Sequence, residues 1–152
     1  MSVSSVFAKM IRGDIPVQSI YEDQYTFAVL DQNPLTEGHT LIVPKVEVDN
    51  LFDLPEPQYL HLWYVARWIA SALKSVTACC RVGILVEGFA VPHAHIHLVP
   101  MHSDQDLKHG KRTQNVPQDV LEEVAQRIRT ALSAEILEHK VPELIPQITC
   151  TR

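Results

Sequence analysis

His93, His95 and His97 alternate with Ala94, Ile96 and Leu98 in the run Val91-Pro92-His93-Ala94-His95-Ile96-His97-Leu98-Val99-Pro100. An imidazole with its ordinary pKa of about 6.5 serves near neutrality as nucleophile, acid or base, and binds transition metals. Crowding keeps such a row neutral, because adjacent positive charges repel. Strict alternation is the period of a β-strand. It predicts that the imidazoles leave one face, roughly 6.6 Å apart along the chain, and the apolar set the other. Two chemistries suit that arrangement. In one, His95 attacks the phosphorus of an ester or anhydride, its neighbours stabilise charge and protonate the leaving group, and a covalent intermediate splits one hard step into two. Backbone amides near Gly88 and Ala90 would hold the phosphate oxygens. In the other, two of the histidines bind Zn²⁺ or another transition metal; the outer pair start about 13 Å apart, which is awkward for one tetrahedral ion. A face of solvated or mutually satisfied imidazoles without chemistry is the remaining reading.

The rest of the chain bounds these choices. Its 152 residues favour one domain, read as 1–140 with an irregular tail over 141–152 that contains Pro142 and Pro146. A net charge of −5 and the lack of a Lys/Arg-rich run argue against nucleic acid as a partner, although local groups can hold a small nucleotide. Cys79, Cys80 and Cys150 are odd in number and two are adjacent, which implies no disulfide framework and fits a reducing, cytoplasmic setting. No basic segment followed by an apolar one predicts a signal peptide, and no apolar run predicts a membrane span.

The elements that would position the histidines follow from patterning. Ser4 or Ser5 caps a short helix through Phe7, Met10 and Ile11, ended by Gly13. Extended runs are expected over 18–21, 26–31, 39–44 and 81–86, with the histidine run as the fifth strand. A helix from about Glu56 to Val76 carries Leu62, Ala66, Ile69, Leu73 and Val76 on one face. A second runs from Pro117 or Gln118 to about Ile136, with Val120, Val124, Ile128, Ala131 and Leu132 inward. Short links favour antiparallel neighbours, so the fold class is α+β: a five-stranded antiparallel sheet with two main helices.

The chain resembles the histidine triad family of nucleotide hydrolases and transferases. The family's His-x-His-x-His motif is matched by His93-Ala94-His95-Ile96-His97-Leu98-Val99. Three upstream stretches are similar in order: Phe7 to Pro16, Ala28 to Pro34, and Glu37-Gly38-His39-Thr40-Leu41-Ile42-Val43-Pro44-Lys45. The resemblance implies that His95 is the nucleophile forming a nucleotidyl-histidine, that His97 and His39 lie beside the phosphate and leaving group, and that His93 orients His95 partly through its carbonyl. Asp31 would bind the ribose hydroxyls, and Phe7, Met10 and Leu30 would line the base pocket. It further implies a homodimer with two joined sheets and cleavage of purine nucleoside phosphoramidates or dinucleoside polyphosphates to a nucleoside monophosphate.

Departures keep alternatives open. The family's Gly-Gln-x-Val is Gly88-Phe89-Ala90-Val91, an Asn before that Gly is missing, and a frequent Ser is Ala90. Each lost hydrogen bond to a charged phosphate costs about 1.5–3 kcal/mol, so a weakly active or non-catalytic nucleotide binder stands as the alternative, with a metal-dependent enzyme behind it. Where some relatives carry a Cys-x-x-Cys zinc pair the chain has Ser5 and Ala8, so neither a structural zinc nor another cofactor is expected. Asp31 can also serve as the cap of the Asn33-Pro34 turn. His61, His102, His109 and His139 receive no role, and Lys108, Lys111 and Arg112 are expected in a solvated loop. Trp63 and Trp68, five residues apart, are expected on different helix faces, one of them at a dimer interface.

Overall fold

Ser5 Oγ accepts the Ala8 N–H at 3.0 Å and caps helix α1, Val6–Ile11; Gly13, at φ +81°, turns the chain out of it. The computed structural model describes residues 4–108 and 112–138. The expected tail over 141–152, Cys150, His109, Lys111 and His139 lie outside those residues.

Strands β1 (Ser19–Glu22), β2 (Thr26–Leu30), β3 (Thr40–Pro44), β4 (Arg81–Leu85) and β5 (Ile96–Met101) form one sheet in the order β1-β2-β3-β5-β4, antiparallel throughout. Asp23 shapes the first hairpin, accepting the Tyr25 and Thr26 N–H groups at 2.8 Å each, and also bonds His61 of the long helix. That helix, α2 (Glu56–Thr77), follows a short 3-10 turn over Leu51–Asp53 that the sequence did not signal; it ends at Ala78 in the left-handed region. Helix α3 spans Gln118–Glu138. The α+β expectation of one five-stranded antiparallel sheet and two main helices is what the chain forms.

Both faces of the central strands are covered, which is why β2 and β3 are buried at every residue. Ala28, Leu30, Ile42, Ile96 and Leu98 face α2 and α3 and join Leu62, Val65, Ile69, Leu73, Ile128 and Leu132 in the larger core. Each such leucine or isoleucine contributes roughly 1.5–3 kcal/mol by leaving water. Phe27, Val29, Leu41 and Val43 face the other way, under Phe7 of α1. One expectation for the helices is corrected: Val120, read as inward, is exposed, and Leu121 and Ala125 are buried in its place. Trp68 is buried in the core and Trp63 is partly buried.

The histidine run is not one strand. β5 begins at Ile96, so only His97 lies in the sheet, and His93 and His95 precede it. The ladder stops for a physical reason. β3 pairs with β5 only as far as Ile42↔Ile96 and β4 only as far as Leu85↔His97. Beyond that point the Pro44 carbonyl meets the His93 ring at 2.8 Å, and the Ala94 N–H donates to Val48 O at 2.7 Å. Side chain and loop replace strand pairing.

Candidate active site

His97 is paired across the sheet with Leu41 and Leu85, which fixes its ring on the α1 side. His39 enters from the turn before β3. Gly38 makes that turn at φ +86°, and a Cβ there would stand 3.1 Å from Leu73 and 3.2 Å from Thr77, so only glycine fits. His39, His93, His95 and His97 are all buried.

The hydrogen bonds determine each tautomer. The Leu35 N–H donates to His39 Nδ1 at 3.0 Å, so the His39 proton is on Nε2. That Nε2–H donates to His97 Nδ1 at 2.9 Å, so the His97 proton is also on Nε2. His97 Nε2 is buried and has no partner among the described residues. An N–H left unsatisfied in the interior costs about 1–3 kcal/mol, and an incoming oxygen or nitrogen would recover it. His95 Nδ1 meets the His93 carbonyl at 2.8 Å, so His95 carries its proton on Nδ1 and its lone pair on Nε2. The His95 and His97 ring centroids are 4.8 Å apart. The free Nε2 lone pair of the buried His95 ring and a buried proton donor on His97, without a partner among the described residues, therefore lie on adjacent rings.

Burial is the main force on the titrations, opposing the charged form. It pushes His39 down to about 4; Asp31 opposes the shift and Arg112 reinforces it. His97 falls to about 3, through burial and then the neighbouring His95 and His39. His95 is lowered by burial, against the favourable bond to the His93 carbonyl. All three are neutral at pH 7.

Asp31 closes one side. Its Oδ1 accepts the Asn33 N–H at 2.9 Å, the turn-capping bond, and its Oδ2 accepts from Arg112 at 2.8 Å. Oδ2 lies 3.7 Å from His39 Nε2, too far for a hydrogen bond but close enough to act on its charge. Arg112, expected in a solvated loop, is instead drawn in onto Asp31 and the Asn33 carbonyl; nothing in the local sequence marks it.

Residues 12–104 match the family model for the HIT domain. The chain belongs to the histidine triad (HIT) family. Membership places it among nucleotide-binding hydrolases and transferases. It is 30% identical over 131 residues to an uncharacterized HIT-like protein of Methanocaldococcus jannaschii, covering 78% of this chain and 97% of that one. It is 30% identical over 106 residues to the adenosine 5'-monophosphoramidase HNT1 of Saccharomyces cerevisiae, covering 69% and 67%. To the adenylylsulfatase HINT3 of Arabidopsis thaliana it is 34% identical over 100 residues, covering 62% and 51%. Among solved structures it is similar to a zinc-bound histidine triad family protein of Mycobacterium smegmatis, with a TM-score of 0.76, 30% identity and coverage of 90% and 98%.

Against the HIT expectation, most but not all of the named residues gather. Phe7 is buried, its ring 4.8 Å from that of His95 and 5.8 Å from that of His93, with Met10 partly buried beside it. Leu30 does not join them. Successive strand residues face opposite ways, so Val29 packs near Phe7 while Leu30 enters the helix-side core and lines, with Asp31, His39, Val120 and Val124, a cavity of about 210 Å³. Gly88 is partly buried with nothing within 4 Å of a notional Cβ; Ala90 is exposed and Phe89 fully so.

Among the described residues, Asp31, His39 and His97 have donor atoms within 4.8 Å of one another. A cation held there would have to break the His39–His97 hydrogen bond and displace the Arg112 guanidinium. The set fits a hydrogen-bond relay better than a metal. Ser5, recognised in the sequence only as a cap, also reaches the triad: its Oγ lies 2.7 Å from His93 Nδ1.

Proposed function

We propose that this HIT protein cleaves purine nucleoside phosphoramidates or dinucleoside polyphosphates at the α-phosphorus through a nucleotidyl–His95 intermediate. The observation that carries the reading is the pairing of the His95 Nε2 lone pair with the unpartnered His97 Nε2–H on the neighbouring ring. The His95 Nε2 lone pair forms the bond to phosphorus; the bond to the leaving nitrogen or oxygen breaks, and that atom keeps the electron pair, hydrogen-bonded by His97 Nε2–H, an amine taking its proton from solvent, to which the later hydrolysis returns one. Water then attacks phosphorus, the phosphorus–Nε2 bond breaks, and nucleoside monophosphate leaves. Asp31 receives the ribose hydroxyls, Phe7 and Met10 flank the base, and the backbone at Gly88 and Ala90 faces the phosphate. The similarity to a monophosphoramidase and an adenylylsulfatase supports this substrate class.

The protein acts in the cytoplasm, as a homodimer joined along β4. That strand is a sheet edge bearing the exposed Ile84, with exposed Val86 just beyond it, and such an edge invites pairing. No described helix is long and apolar enough to cross a membrane.

Incubation with adenosine 5'-phosphoramidate, acid quench and intact-mass measurement test the mechanism. A nucleotidyl adduct is expected in the native chain and absent from His95→Ala. Turnover retained by His95→Ala removes His95 from the chemistry. The second reading, a nucleotide binder of weak or no activity, is favoured by the apolar Gly88-Phe89-Ala90 segment, which offers the phosphate no polar side chain. Bound nucleotide recovered intact, with no adduct, would select it.

A further inference from the structure

We infer that Ser5 is a positioning residue for His95, acting through His93 and tying the seating of helix α1 to the nucleophile's tautomer. This rests on the proposed role of His95. His93 donates from Nε2 to the Pro44 carbonyl at 2.8 Å, so its Nδ1 can only accept. The donor is the Ser5 hydroxyl at 2.7 Å. The same oxygen accepts the Ala8 N–H at 3.0 Å, so it serves the helix cap and the His93 ring at once. Ser5 is itself buried, and its backbone N–H donates to Glu47 Oε1 at 2.7 Å. One residue thus fastens the start of α1 to the His93 ring and to the segment after β3.

The consequence passes through the backbone. His93 lies outside the sheet, so no strand ladder fixes its carbonyl. The anchors are the two ring bonds, the His93 N–H to Val91 O at 2.8 Å and the Ala94 N–H to Val48 O at 2.7 Å. That carbonyl is what holds the proton on His95 Nδ1 and leaves Nε2 free. Removing the Ser5 hydroxyl strands a buried acceptor on His93 and releases one side of the ring. Phe7, two residues on in the same helix, contacts both rings, so a loosened α1 also loosens the packing beneath His95.

Capping and donation can be separated. Glycine is nearly as good a helix cap as serine but has no hydroxyl, whereas threonine keeps both functions. Ser5→Gly is expected to slow formation of the nucleotidyl adduct about tenfold, with little change in affinity for nucleoside monophosphate. Ser5→Thr is expected to restore the rate. Histidine-ring ¹⁵N spectra give a readout independent of activity. The native chain should show a protonated Nδ1 and an unprotonated Nε2 at His95, Ser5→Gly a mixture of tautomers, and Ser5→Thr the native pattern. A Ser5→Gly protein with native ring pattern and native rate overturns the inference, and so does a Ser5→Thr ring pattern matching that of Ser5→Gly. If the native chain forms no adduct, the proposed function fails, while the ring patterns still decide the role of Ser5.

Discussion

His39 Nε2 donates to His97 Nδ1 across 2.9 Å, and this bond, joining residues 58 apart in sequence, directs the remaining His97 proton into the space beside His95. The backbone sets the direction. Because the Leu35 N–H occupies His39 Nδ1, the relay has one orientation, ending on an N–H that no atom of the described residues satisfies. A ligand's leaving atom is its natural partner.

Replacing His97 with phenylalanine keeps a ring in the sheet and removes the donor. The expected loss depends on the leaving group: about a hundredfold or more in kcat for an alkylamine, which departs poorly without a hydrogen-bond donor, and about tenfold or less for an aryl group that departs as a stable anion. Single-turnover rates with matched substrates check this, with circular dichroism confirming the fold. An equal loss for both substrates would assign His97 to packing alone.

Acid should act on rate and on stability. His95 must be neutral to attack, and burial shifts its titration below the ordinary histidine value, so the rate should decline in acid at lower pH than an exposed histidine would impose. A rate unchanged down to pH 4 would contradict nucleophilic attack. For stability the sign follows from proton uptake. Between an unfolded value of about 6.5 and a folded value of about 4, His39 is protonated in the unfolded chain and neutral in the native one, so stability falls as pH falls through that window. The loss from His39 is on the order of 3 kcal/mol, complete below the folded value. Urea unfolding at pH 7, 5.5 and 4 measures it, and His39→Phe should flatten the slope.

Asp31→Asn should raise KM roughly tenfold while leaving kcat within a few-fold, since the carboxylate is assigned to ribose and not to phosphorus. A deoxyribose substrate sharpens the test. It should bind more weakly than the ribose form to the native protein, yet equally with it to Asp31→Asn. A penalty that persists in the variant would place ribose recognition elsewhere and leave Asp31 with its turn and Arg112.

Ile84→Lys puts a charge on the exposed edge strand. If β4 joins the subunits, the mass measured by light scattering should halve at micromolar concentration while the monomer stays folded. An unchanged dimer would move the interface off β4.

The elements were legible because their signals were local. The apolar spacing of α2 placed it within a residue of its observed end, and Ser5 and Gly13 bounded α1 as a cap and a breaker should. His95 and His97 stood out because alternating imidazoles have few other uses, whereas His39 was singled out only by the family resemblance. What escaped depended on contacts across the chain. Alternation suggested a strand from Val91, but its partners end at Ile42 and Leu85, which no local pattern reveals. Arg112 looked solvated because its partner Asp31 lies 81 residues away. Leu30 was grouped with Phe7 and Met10 by similarity, whereas strand parity turns it to the helix side, where it lines a cavity with Asp31 and His39.

The early release of the chain by the sheet, ahead of His95, divides labour within the protein. Pleat and register secure His97, whereas loop and side-chain anchors aim His93 and His95. Substitutions in helix α1 or in the segment after Pro44 can therefore retune reactivity without disturbing the scaffold. Descendants of one such ancestor would be free to diverge in turnover and substrate while inheriting the same architecture intact.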